Sequence, residues 1–543
     1  MRNFQITKID KKIFSLWKEI YPTAAFAFGL NQFGGEMWLP SKQNKAKALK
    51  AIESIKQVDK KDFDALKFLE SHRENILFEE PTNAPQQISN SIYEHALIEG
   101  HDRHTLALAK AGIKLIEIEE KIWNKSWPLE IKILTALECN AVLKLIESAK
   151  NYIKSEALNL LENKIKFWLV KCGCKLRRCD FNDIFPLLKK DGEGFGREKI
   201  YPKLLKSLYD FEESPKEIES LALKWLHQEL KVFNSTIDYL SKKFKCKPKL
   251  KEIIKKGKKL FLIKKEELIA VVKKIREILK KIAEKELIKI TPKYDVRIVE
   301  TPKYLVPFMP TAAMQAFNAF KKPWCAFFVT TDQRGSPSNT LPQIVQTIVH
   351  EEYGHCVNFL NTFNAFVVKP RLIHVLSNNL DVPITEGLSF HREKEALEIF
   401  EILAEQSAKD YYLEFEKFVR KYGSMKDFIQ FLHLVVSEWR ILRFLRAICD
   451  VRVNTGKQRF DAFVEWASLE TNLDPKLIYN QTFFFQKMPG YAPCYSIFGQ
   501  RLCELQKKAL KKGIERVEFN TFVASIGFPP RTSFEKIIKK RFF

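Results

Sequence analysis

The sequence predicts a mainly α-helical fold with one small β-sheet, and three observations predict it. Glycine is scarce, with 19 in 543 residues. Leucine, isoleucine, lysine and glutamate recur every three to four positions over long stretches, the spacing that lays one apolar stripe along a helix. Strand-forming runs bounded by turn residues gather only near 296–331. With 45% hydrophobic residues, the chain can bury a large core.

In chain order, residues 1–235 read as a helical region forming one wall of a cleft. The start, Met1 to Lys8, lacks the apolar stretch of a signal peptide. Phe167–Val170 and Leu221–Leu230 have helical patterning. Residues 236–295 read as a basic helical connector. Between Lys242 and Lys289, 19 Lys/Arg stand against 6 Asp/Glu, a large share of the net charge of +25. Ile269, Val272, Ile275, Leu279 and Ile282 give this stretch an apolar stripe, so it is expected to pack on the core with its lysines in water. It lacks the interleaved aromatics and glycine-rich loops of a nucleic-acid surface, which makes nucleic acid through 242–289 the less favoured partner. Residues 296–543 carry the sheet, the chemistry and a further helix over Phe428–Leu445.

No run approaches 18 continuous apolar residues, so no membrane span and no membrane partner are expected. Ten cysteines at this length fit reduced thiols better than a disulfide scaffold. Cys172, Cys174 and Cys179 are the one cluster, a ligand short of a soft-metal site. These features together lead us to expect a cytoplasmic protein.

The chemistry centres on His350-Glu351-Glu352-Tyr353-Gly354-His355. Two imidazoles can hold a zinc ion, and a carboxylate beside the first can take a proton from the water that such an ion activates. The usual spacing is H-E-x-x-H, which puts both histidines on one helical face. Here they are five apart, about 140° around a regular α-helix. A π-bulge, with i→i+5 hydrogen bonding, returns them to one side, and Gly354 is placed to ease it. Thr340-Leu341-Pro342-Gln343 reads as a capping box, with Thr340 as N-cap. Leu341, Ile344, Val345, Ile348 and Val349 then follow the pattern of a buried helix. Upstream, Cys325–Thr331 reads as a strand and 332–339 as turn. Strand, turn and metal helix is the order of a zincin-like helical metallopeptidase, whose strand edge pairs with an extended peptide. Phe327 and Phe328 are therefore candidate substrate contacts.

Pro383-Ile384-Thr385-Glu386-Gly387 opens a second helix, with proline in the first turn. Glu386 is the best candidate for a third ligand. Glu393, seven residues on and on the same face, is placed to orient a ligand histidine, and His391 lies nearby. Four of the ten histidines, His350, His355, His374 and His391, fall in this part of the chain.

Here the chain resembles the zincin-like proteins of domain-of-unknown-function family 885 and, more distantly, the carboxypeptidase Taq family. Tyr21–Leu30 is similar to the family's amino-terminal "P-x-x-A-T-x-x-G" segment. Glu386-Gly387-Leu388 resembles "E-G-W", and Asp450-Val451-Arg452-Val453-Asn454 resembles "D-x-x-x-H". Pro489–Gly499 resembles "P-G-x-x-x-x-Y-x-x-G". The order runs from near residue 20 to near residue 530. The resemblance implies zinc held by His350, His355 and Glu386, with Glu351 as general base. It also implies a tyrosine that donates to the oxyanion, Tyr495 first and Tyr491 second. The chain departs from the family's usual "H-E-x-x-P-G-H", being one residue shorter and without the proline. Asn454 stands where histidine is common, Leu388 replaces the tryptophan, and Phe484-Phe485 lies where Arg-Tyr is common. Arg501, or Arg452, is the remaining candidate to anchor a substrate carboxylate.

The expected function is a zinc metallopeptidase of carboxypeptidase or oligopeptidase type acting on short peptides. The alternative is a non-catalytic binding protein with a degenerate metal site and a basic surface for nucleic acid or acidic partners.

Overall fold

The computed structural model describes residues 3–124, 126–173, 180–302, 306, 312–331, 339–406 and 409–543. The chain is mainly helical with one small sheet. The sheet comprises β1 (Val296–Glu300), β2 (Ala312–Phe317) and β3 (Trp324–Val329), in the order β1-β3-β2. β3 runs parallel to β1, pairing Val296 with Cys325, and antiparallel to β2, pairing Ala312 with Val329. Its unbroken apolar run, Trp-Cys-Ala-Phe-Phe-Val, suits a strand covered on both faces. β2 is an outer strand and lies against the helical segment Val349–Cys356.

The largest apolar cluster joins the long helices Pro215–Lys243 and Met425–Asn454 with the helix Leu341–Ile348. A second cluster joins the first helix, Lys8–Ile20, to Cys325, Cys356, Leu360 and the segment Leu372–Leu380. The amino-terminal helices thus pack directly behind the helical segment that carries His350 and His355. Ion pairs reinforce this across hundreds of residues. Arg371 reaches Asp10 at 2.6 Å and Asp62 at 2.8 Å, and His374 Nε2 lies 2.8 Å from Asp64.

The basic stretch is broken into shorter pieces. It takes in the end of Pro215–Lys243, then Leu250–Phe261, Leu268–Ile282 and a π turn over Ala283–Leu287. Val272, Ile275, Leu279 and Ile282 are buried, so the apolar stripe does pack inward. Several lysines are paired on the surface; Lys274 and Lys281 both reach Glu414.

One local expectation is corrected. Thr340 is the N-cap of Leu341–Ile348, but its side chain makes no capping hydrogen bond; its extended backbone instead bridges to Leu262. Of the cysteine cluster, Cys174 and Cys179 lie outside the described residues, as does most of the turn at 332–339. None of the eight described cysteines forms a disulfide, and no described helix is long and apolar enough to cross a membrane.

Candidate metal centre

The helix that starts at Leu341 changes its winding at the histidines. Val349–Cys356 is a π-helix, flanked by α-helix on both sides. The wider winding brings residues five apart to one side, as the spacing required. The His350 and His355 rings stand nearly perpendicular, 5.0 Å between centres. Gly354 permits this for a specific reason. A Cβ there would lie 2.6 Å from Ser389 Cα and 2.7 Å from Ser389 Cβ, both on the helix Val382–Gln406. The missing side chain lets the two helices touch, and that contact brings Glu386 to the histidines.

One donor atom from each of His350, His355 and Glu386 lies within 4.8 Å of the others. His355 Nε2 is 3.7 Å from Glu386 Oε2. Glu386 Oε1 accepts a hydrogen bond from the Tyr491 hydroxyl. Glu386 Oε2 is buried and has no hydrogen-bond partner. A buried carboxylate oxygen left unsatisfied is costly, and a cation would satisfy it. Burial, with the nearby charges of His350 and Arg443, holds the His355 imidazole well below its ordinary range, in the neutral form that binds metal. Two imidazoles and a carboxylate, with room for a fourth ligand, are the donor set of a catalytic zinc site.

The surroundings fix the candidate ligands. Glu393 accepts a hydrogen bond from His350 Nδ1 at 2.8 Å, leaving Nε2 for an ion. Gln346 and Arg443 also donate to Glu393, at 2.7 Å and at 2.6 and 2.8 Å. Burial alone would raise the Glu393 carboxyl, but the Arg443 charge and His350 outweigh it and hold it at about 2. Burial and the adjacent Glu386 raise Glu351, with His350 opposing. The Tyr491 and Tyr495 rings meet edge to face, 5.8 Å between centres, and the Arg446 guanidinium stands 5.5 Å over the Tyr495 ring. Helix Val382–Gln406 crosses the tyrosine segment where two glycines meet. A Cβ on Gly387 would lie 2.7 Å from Phe498, and one on Gly499 2.4 Å from Phe390. Behind them, Asp450 accepts from Gly490 N–H at 2.8 Å and Tyr201 at 2.7 Å. Asn454 joins the buried Arg197, which is paired with Glu80. The "D-x-x-x-N" segment therefore holds the tyrosine turn from behind.

The candidate ligands and the two tyrosines face a cavity of about 870 Å³. Its floor includes His350, Glu351, His355, Glu386, Tyr491 and Tyr495. Its opposite wall comes from the amino-terminal helices, including Tyr21–Ala24 and one face of Asn83–Glu99.

Three groups of expected residues lie elsewhere. His391 turns away and meets Cys503 at 3.0 Å and Glu395 at 3.3 Å. Phe327 and Phe328 are buried on the two faces of central β3; Ala313 and Met314 of β2 line the cavity instead. The sequence marked the strongest strand, and the strongest strand is the middle one. Arg501 pairs with Glu504 and Glu535 on another surface, and Arg452 with Glu219. Arg443 was not anticipated. The signal for it was present: Arg440, Arg443 and Arg446 recur at three-residue spacing in a helix that is otherwise largely apolar, and all three are buried.

No protein-family model matches the chain, and no curated protein does. Two solved structures share the fold over nearly the whole length. One is described as "the putative lipoprotein from Colwellia psychrerythraea", with a TM-score of 0.65 and 14% identity over 99% of this chain and 100% of that one. The other is "a putative lipoprotein of unknown function from Shewanella oneidensis", with a TM-score of 0.65 and 15% identity over 98% of each chain. At such identity the likeness speaks to the fold alone.

Proposed function

We propose that this chain is a zinc-dependent peptidase of short peptides, related to the zincin-like family its motifs resemble. The observation that carries the reading is the convergence of His350, His355 and Glu386 beside Glu351 in one cavity. The segments that resemble family motifs lie about 20, 350, 386, 450 and 490 in sequence, yet all line or brace that cavity.

His350, His355 and Glu386 would hold the ion, and Glu393 and Tyr491 keep two of them oriented. Bound zinc would polarise the scissile carbonyl and acidify water. Glu351 takes the proton of the attacking water and delivers it to the leaving amine. The Tyr495 hydroxyl donates to the oxygen that gains charge, while Tyr491 is committed to Glu386. An extended peptide pairs with the outer strand β2, whose Ala313 and Met314 face the cavity.

The test is metal analysis of the purified chain, followed by a peptide library with zinc restored. About one zinc per chain and cleavage of short peptides are expected. Salt-sensitive binding of unrelated nucleic acids, with neither zinc nor cleavage, would favour the basic-surface binding protein instead.

A further inference from the structure

The chain carries a net charge of +25, yet the cavity has the opposite sign. Lys45 and Lys487 are the cationic side chains among its described lining residues. Each is already paired: Lys45 Nζ lies 2.5 Å from Glu79, and Lys487 Nζ lies 2.8 Å from Glu138. Against them stand Glu94, Glu119 and Asp381, beyond Glu351 and Glu386 of the metal centre.

Glu119 is the most telling of these. It is 7% exposed and has no hydrogen bond or ion pair among the described residues. It closes the helix Arg103–Glu119, where the helix dipole adds further negative potential. Burial pushes its carboxyl up, with Lys45 opposing and Glu79 adding to the rise. Glu94 lies on the cavity face of Asn83–Glu99, which presents Asn83, Gln87, Asn90 and Ser91 at helical spacing and no cation. Burial pushes Glu94 up to about 7, and the Asp381 carboxyl to about 8. An unpaired carboxylate as buried as that of Glu119 costs stability unless a positive partner arrives. The arginines expected to receive a substrate's carboxylate, Arg501 and Arg452, are outside this space.

We infer that the cavity recognises its substrate through a positive group, an ammonium or guanidinium, received by Glu94 and Glu119. It is therefore built for amino-terminal or basic peptides and not for an anionic carboxyl end. The inference rests on the cavity being the substrate site, but not on hydrolysis there.

The test is calorimetric titration of the full-length, zinc-loaded chain carrying Glu351→Gln, so that binding is read without turnover. The probes are tri-alanine with a free amino end, its N-acetyl form, and N-acetylated Ala-Lys-Ala and Ala-Glu-Ala. At least one cationic peptide should bind about tenfold tighter than the N-acetyl neutral one, and the acidic one weakest. Whether free amine or lysine wins identifies which source of charge is read. Adding Glu94→Gln with Glu119→Gln should shrink the preference to within twofold, with zinc content unchanged. If that double variant does not fold, each single change should shrink the preference in part, and added salt should shrink it in the parent. Equal or better binding of the neutral or acidic peptide, no binding of either cationic peptide, or a preference that survives loss of both carboxylates would overturn the inference. Charge-selective binding without cleavage by the unsubstituted chain would remove the peptidase reading and leave this one standing. Cleavage blind to charge would do the reverse.

Discussion

Two pairs of residues around the candidate metal centre are each five apart, and they have opposite fates. His350 and His355 sit in a π-helix and face one another across 5.0 Å. Glu386 and His391 sit in an ordinary helix and point apart, by the roughly 140° that five α-helical residues impose. Glu386 and Glu393, seven apart, return to one face within about 20°. The helix Val382–Gln406 therefore has two polar faces of similar composition. One face offers Glu386, with an unclaimed oxygen, to a cavity. The other buries Glu395, which accepts from Arg392, Gln506 and Asn520 and lies beside His391. Histidines and glutamates alone do not make a candidate metal site. A local backbone winding and an oxygen left without a partner distinguish these two.

The largest expected effect separates the faces directly. His350→Ala, His355→Ala or Glu386→Ala should each take zinc from about one per chain to none, by elemental analysis after dialysis. His391→Ala should keep it. Equal zinc loss from His391→Ala would merge the two faces and sink the distinction. Glu351→Gln should keep zinc while lowering peptide cleavage by a thousandfold or more, because a general base is lost without a ligand. Next in size is Glu393→Gln. It keeps the shape but weakens the hold on His350, and zinc affinity should fall about 10- to 100-fold against a competing chelator. An unchanged affinity would show that Glu393 serves only to neutralise Arg443.

How much of this the sequence disclosed depends on what each residue needs. The helix that carries His350 and His355, its π winding and the shared face of Glu386 and Glu393 were legible because spacing along one helix is geometry that the sequence carries. Gly354 was noticed for its missing Cβ, but its real partner, Ser389, is 35 positions away and only packing reveals it. Arg443 was missed because a buried arginine is recognised by its partner, and Glu393 is on another helix. Phe327 and Phe328 misled because hydrophobicity marks a central strand, while a substrate needs an outer one. The sign of the cavity was hidden most completely. Its carboxylates come from separate helices, and the excess of lysine elsewhere dominates the total charge.

Two smaller effects sharpen the comparison in terms of stability. Gly354→Ala forces a methyl group into Ser389 Cα, which is backbone and cannot rotate aside. A loss of about 3 kcal/mol is expected by denaturant titration, with weaker zinc binding alongside. Ser389→Gly should recover part of it, since Cβ and Oγ are also in the way. A Gly354→Ala chain of parent stability and zinc content would mean that the helix contact has slack and does not set the ligand geometry.

The last effect belongs to the sealed face. Burial depresses the His391 imidazole from its ordinary 6.5 to about 4, with Glu395 opposing and the nearby arginines assisting. Between those values the unfolded chain binds a proton that the folded chain refuses. Stability from this group is therefore full above about pH 6.5 and is lost as pH falls toward 4. At about 1.4 kcal/mol per unit the loss approaches roughly 3 kcal/mol. His391→Gln should flatten the melting temperature against pH in that window, measured on chelated protein so that metal release does not contribute. Parallel curves for the two chains would show that His391 is protonated in the folded state. In that case the charge of Glu395 prevails over burial, and the two faces of this helix differ less than their geometry suggests.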